Sequence, residues 1–139
     1  MELRDLRQSD LDYCRDNDIS HSKFDTEQCI YTWTLLEDGD ILGIGGLQII
    51  TNNCAWVWAS LTNNATKYKV TLLRTIRDYM ETTCTNAGVT RIQAWSEIGF
   101  DKSKRLLEHL GFKPEGEPMV GFVEKNISAQ LYVKFIGDS

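Results

Sequence analysis

The sequence predicts an α+β fold built on one mixed sheet, and three observations carry that prediction. Between residues 29 and 61, three stretches with apolar residues at every second position follow one another through short turns, which makes an antiparallel meander. A polar loop, a long amphipathic stretch and another alternating stretch then run to Glu97. That is a β-α-β crossover, whose two strands lie parallel. A short helix and two closing strands complete a β-α-β-α-β-β series after the meander.

Taken in order, Leu3 and Leu6 flank charged residues in ELRDLRQSD, a short first strand. Ser9 with Asp12 three positions on reads as a capping box opening a helix through Leu11, Tyr13 and Cys14. Residues 16–28 are polar and suit a loop with a second short helix around residues 22–27. From residue 29, Cys29, Tyr31, Trp33 and Leu35 share one face of a strand and Ile30, Thr32 and Thr34 the other. Glu37-Asp38-Gly39-Asp40 turns the chain tightly, because Asp-Gly accepts the positive φ of a two-residue hairpin loop. ILGIGGLQII returns as a strand, with Gly45-Gly46 marking a bulge or a close backbone approach. Asn52-Asn53 turns into the fourth strand, Cys54–Leu61, where Trp56 and Trp58 share a face that packs against a helix or floors a substrate groove. The long helix places Val70, Leu73, Ile76, Met80, Cys84 and Ala87 on one face and stops at Gly88. Residues 89–97 form the fifth strand, and the helix at residues 101–110 turns Leu106, Leu107 and Leu110 inward before Gly111. Residues 114–118 form a loop, and MVGFV and AQLYVKFI close the chain as strands around polar residues 124–128.

With 139 residues, 42% hydrophobic and 25% charged, the composition fits one globular domain over residues 1–139, with no internal repeat or linker. Fifteen basic and twenty acidic side chains give a net charge of −5, which weighs against a general nucleic-acid binder. Cys14, Cys29, Cys54 and Cys84 form no C-x-x-C pair and read as buried thiols, so no metal site is expected. No apolar run nears the roughly 20 residues that span a bilayer, and MELRDLRQSD is too polar for a signal peptide. The expectation is a cytoplasmic protein without membrane contact, in which the N-x-S/T triplets at Asn64 and Asn126 carry no glycan.

The loop at residues 63–69 joins a strand to the start of the long helix, where backbone N–H groups and the positive end of a helix dipole favour an anion. No G-x-x-x-x-G-K-[ST] stands there, so a Walker-type site is not predicted.

In the order of its elements the chain resembles the GNAT superfamily of acetyl-CoA-dependent acetyltransferases over nearly its whole length. LRDLRQSDLDYC looks like that family's first strand and helix, and LEDGDILGIGGLQI like its second and third strands. RLLEHLGF, a short helix closing in aliphatic-Gly-Phe before a strand, is the most specific part of the likeness. The resemblance implies a sheet splayed between its fourth and fifth strands, here Cys54–Leu61 and residues 89–97, with the pantetheine of acetyl-CoA in the gap. It implies cofactor contacts at Leu61, Asn63, Asn64, Thr66, Lys67, Tyr68, Lys69 and Ser103.

The chain departs from the family pattern in three places. The family's loop carries glycines at alternate positions, where this chain has Ala65, Lys67 and Lys69. Those side chains crowd the pyrophosphate, or the two lysines bind it as point charges. Many members protonate the leaving thiolate with a tyrosine on the fourth helix, and the matching residue is Leu107. His109 lies about 200° round the helix from it and does not take its place. An ammonium acceptor must also lose a proton before it attacks. The fourth strand offers only Ser60 for this, so Glu97 at the end of the fifth, with Asp101 behind it, is the alternative base, set against a role as a helix cap. His21 reads as a surface residue.

Two functions follow. One is acetyl transfer from acetyl-CoA to a primary amine of a small molecule or a protein, by a monomer or homodimer. The other is a GNAT-fold pseudoenzyme that has lost the cofactor and binds a protein partner, as an accessory or structural protein such as a virus-encoded one.

Overall fold

The computed structural model describes residues 1–17 and 31–137. The proposed helix at residues 22–27, His21 and the start of the second strand at Cys29 and Ile30 lie outside the described residues. In chain order the elements are β1 (Glu2–Arg4), α1 (Gln8–Asn17), β2 (Tyr31–Glu37), β3 (Asp40–Thr51), β4 (Cys54–Leu61), a 3-10 helix (Asn63–Tyr68), α2 (Lys69–Asn86), β5 (Arg91–Glu97), α3 (Asp101–His109), β6 (Lys113–Pro114), β7 (Met119–Glu124) and β8 (Ile127–Phe135). The strands make one sheet in the order β1-β2-β3-β4-β5-β8-β6, with β7 also on β8. Among the described residues, only β4 and β5 pair in parallel. The meander, the crossover and the closing hairpin are therefore as the sequence predicts. Strand β6 overlaps the start of the predicted loop at Pro114, since two residues show no periodicity, and Pro114 suits an edge because it has no N–H to donate.

The two-residue turn between β2 and β3 falls at Asp38-Gly39, both with positive φ. Both main helices end at glycines in a Schellman arrangement: Val89 N–H reaches Cys84 O at 2.8 Å, and Phe112 N–H reaches Leu107 O at 3.0 Å. Gly88 and Gly111 supply the left-handed residue, with φ of 77° and 93°.

Most of the core lies between the sheet and α2 with α3. From α2 it takes Leu72, Ile76, Met80 and Cys84, each four residues on from the last. Each such burial of a large apolar side chain contributes about 1.5–3 kcal/mol. This corrects the predicted face: Val70 is 71% exposed and Ala87 is also at the surface. Val70 is two residues, about 200°, from Leu72, so a face centred on Leu72 turns it outward. Cys14, Cys54 and Cys84 are buried free thiols, and burial pushes Cys84 up to about 11.

The other face of the meander is covered by α1, which packs Leu11 and Cys14 on Ile44, Ile41 and Trp58. Trp58 thus packs on a helix, and it also lines the opening between β4 and β5, so both predicted roles of its face apply to it. The carboxylate of Asp10, 1% exposed, fixes this helix. It accepts from both terminal nitrogens of Arg4 at 2.6 and 2.8 Å, from the Thr34 hydroxyl at 2.8 Å and from the Arg7 N–H at 2.8 Å. The helix opens at Gln8, so Asp10 bonding back to the Arg7 N–H closes its first turn, in place of the predicted Ser9 and Asp12 box. Ser9 lies inside the helix.

Candidate functional site

The strands β4 and β5 pair over three residues only, Cys54↔Arg91, Ala55↔Ile92 and Trp56↔Gln93, and then part. Beyond them β4 runs on to Leu61 beside β3, and β5 runs on to Glu97 beside β8. Each half is therefore held by its outer neighbour while the sheet opens in the middle. A cleft occupies the opening. Val57, Ala59, Ala94, Trp95 and Glu97 line it from the strands, and Ile76, Met80, Ser103, Leu106, Leu107 and Leu110 from the helices above.

Two cations hold α3 over this cleft. Lys134 of β8 donates to the Leu110 carbonyl at 2.7 Å and pairs with Glu81 of α2 at 2.7 Å. Arg77 of α2 donates to the His109 carbonyl at 3.2 Å. Both act at the C-terminal end of α3, where a helix dipole favours positive charge.

Next to the cleft, between the start of α2 and α3, lies a cavity of about 350 Å³. Its lining shares Leu106 with the cleft and carries Lys69, Lys102, Arg105 and His109. Lys102, Arg105 and His109 stand at i, i+3 and i+7, one face of α3. That spacing is readable in DKSKRLLEHLGF as three basic residues on one helix face. The arrangement is an apolar slot leading to a positively charged chamber.

The predicted site residues divide between these spaces and elsewhere. Leu61, Thr66 and Lys69 line the charged cavity. Ser103 and Glu97 line the cleft. Asn63, Asn64, Lys67 and Tyr68 line neither. The Asn64 amide donates to the Tyr13 hydroxyl at 3.1 Å and to Ile41 O at 3.0 Å, tying the loop to α1 and β3. Tyr68 packs against the core, and Lys67 is exposed. The loop winds into a 3-10 helix, so its N–H groups past the first turn point back at its own carbonyls, as Ala65 N–H does to Thr62 O at 3.1 Å. Ala65 is 3% exposed and packs in the core, and it also forms part of the wall of the charged cavity. Ser60 lies opposite Ile44 and shares a β4 face with Trp58, on the α1 side. Its hydroxyl is buried without a hydrogen-bond partner, and Ser60 does not line the cleft. Leu107 lines the cleft where the family resemblance places a tyrosine, and Ser103, one turn earlier, is the only hydroxyl side chain in that lining among the described residues. Also among the described residues, no group of His, Cys, Asp and Glu forms a metal site and no helix is long and apolar enough to cross a membrane.

No protein-family model matches the sequence, and no curated protein matches it. Solved structures do match in fold. Ard1 from Thermoplasma volcanium is 9% identical, covers 99% of this chain and 98% of its own, and superposes with a TM-score of 0.81. The ribosomal-protein-S18-alanine N-acetyltransferase from Escherichia coli is 14% identical over 99% and 95% of the two chains, with a TM-score of 0.71. A spermidine N-acetyltransferase SpeG mutant from Vibrio cholerae is 15% identical over 97% and 95%, with a TM-score of 0.70. With its parted parallel pair and nearly full-length superposition, this chain has the fold of the GNAT acetyltransferases.

Proposed function

We propose that the protein is an N-acetyltransferase that uses acetyl-CoA and a primary amine. The parting of β4 and β5 into an apolar cleft that leads to a cationic cavity carries this reading. The residues present fit that cofactor. The slot between Val57, Ala59 and Ala94 is apolar, as the pantetheine arm requires, and its free volume of about 60 Å³ means that its walls must part further as the arm enters, while Lys69, Lys102 and Arg105 offer charge to its phosphates. Phosphate recognition thus shifts from loop amides, the place the family resemblance implies, to side chains of α2 and α3. Of the two loop lysines, Lys69 is the one placed for it. Bound acetyl-CoA supplies an acetyl group on a thioester, whose carbonyl carbon accepts the amine nitrogen while the electron pair of the broken carbon–sulfur bond leaves with sulfur. Glu97 is the base that takes the amine's proton. The Ser103 hydroxyl is a hydrogen-bond donor for the departing sulfur, in the absence of a tyrosine at Leu107.

Thermal unfolding with CoA, acetyl-CoA and ATP tests the reading, because a ligand that binds only the native state raises Tm. A saturable rise with both CoA species and a smaller one with ATP is expected. The double variant Lys102→Glu/Arg105→Glu should weaken CoA about 100-fold at low salt, roughly tenfold per reversed cation, with the deficit shrinking as salt screens it. Equal shifts for ATP and CoA, or none with any ligand, would defeat the proposal.

A further inference from the structure

A second chamber, of about 240 Å³, lies beneath the N-terminal end of α3, lined by Ser96, Glu97, Asp101, Lys104, Gln130 and Tyr132 among others. Glu97 and Phe100 line both this chamber and the cleft, so one wall of side chains separates the two spaces. A base in that wall can face an acyl donor on one side and a nucleophile on the other.

The lining says what the chamber suits. Ser96 is 4% exposed and its hydroxyl has no hydrogen-bond partner. Native proteins rarely leave a buried hydroxyl so, and a bound molecule would complete it. The Tyr132 phenol is held protonated, because burial and then the nearby Glu108 charge push its pKa up, and so it can donate. Glu97 and Asp101 favour an ammonium group, whereas Lys104, with the Ser96 and Tyr132 hydroxyls, favours a carboxylate. Charges of both signs within one small space match a molecule carrying both. We propose that this chamber holds the acyl acceptor, and that the acceptor is a small zwitterion of the α-amino-acid class. The inference rests on the acetyltransferase reading, since it takes Glu97 as the base. Size agrees with it, because the volume falls below the roughly 300–1,000 Å³ of sites for drug-sized ligands. A polyamine would bring a second ammonium towards Lys104, which disfavours it.

Calorimetry on the full chain, with and without saturating CoA, provides the test, with L-alanine, propylamine, propionate and spermidine as probes. L-alanine should bind at least tenfold more tightly than propylamine or propionate. Lys104→Glu should cost L-alanine at least tenfold and leave CoA affinity unchanged, since Lys104 does not line the CoA cavity. Spermidine binding more tightly than L-alanine, or an unchanged L-alanine affinity in the variant, would overturn the proposal. If CoA binds and L-alanine does not, this inference alone fails. If CoA does not bind at all, the acetyltransferase reading fails and the acceptor role goes with it.

Discussion

Replacing Arg4 with alanine is expected to lower the stability of the fold by about 3–5 kcal/mol, because it strands a buried carboxylate. The Asp10 side chain is 2% exposed and that of Arg4 19%, so water cannot take over the lost partner without opening α1 from the sheet. Domains of this size are stable by only about 5–15 kcal/mol, so a large part of the total is at stake. Burial pushes the Asp10 pKa up, but the Arg4 guanidinium, the Arg7 N–H and the Thr34 hydroxyl outweigh it and hold the group at about 2. A carboxyl depressed in the folded state contributes stability that is fully present above its unfolded pKa and is lost as pH falls through the folded one. For Asp10 that window runs from its ordinary 3.8 down to about 2, and the linked contribution is roughly 2 kcal/mol. Urea unfolding between pH 2 and pH 7 measures it. The wild type should lose this increment on acidification, and Arg4→Ala should lose less because its Asp10 is no longer held down. The double variant Arg4→Met/Asp10→Leu separates charge from hydrogen bonding: it should recover only part of the loss, because it removes the stranded charge but leaves the Thr34 hydroxyl and the Arg7 N–H without their acceptor. A single variant within 1 kcal/mol of wild type would mean that α1 is held by apolar contacts alone.

How much of this was legible in the sequence depended on whether the deciding contact was local. Period-two alternation and the Asp38-Gly39 turn are local, and the meander follows from them. So are the closing glycines of α2 and α3. The buried face of α2 was not, because Val70 and Leu72 are both apolar and only the position of the sheet decides which turns inward. The role of Asp10 is hidden for a similar reason. Beside Ser9 it looks like one more polar residue of a helix start, and its value comes from Arg4 and Thr34 on two different strands. The site shows the same division. Glu97 and Ser103 could be placed near the opening from the strand and helix that carry them. The loop looked like the anion site because of its position before a helix, but its 3-10 winding takes up the N–H groups that the argument needed. Of the cations that line the cavity, Lys69 opens α2 where the loop reading looked for one, whereas Lys102 and Arg105 stand on α3, which reaches the start of α2 only through tertiary packing. Ser60 misled in the opposite direction: strand order placed it correctly, and the parity of β4 turned it away.

A methyl group at Gly45 should damage fold and cleft together. Gly45 lies opposite Trp33 across β2 and β3, and a Cβ built on it would fall 2.0 Å from Cζ2 of the indole. No contact that short survives, so the ring must move. Trp33 is 2% exposed, meets Tyr79 of α2 edge-on at 6.1 Å between ring centres, and lines the cleft. A rigid bicyclic ring so enclosed has no nearby rotamer to retreat to, and moving it vacates the space it filled. Gly45→Ala should therefore cost about 3–5 kcal/mol, the range for losing a buried aromatic side chain. The fraction that stays folded should show a weaker CoA-induced rise in Tm, since α2 and the cleft wall move with the ring. Trp33→Ala in the same chain makes room for the new methyl. The two changes should then be non-additive, with the double variant at least 1 kcal/mol more stable than the sum of the single losses predicts. Strict additivity would mean that Gly45 is needed for its own backbone and not for the ring above it.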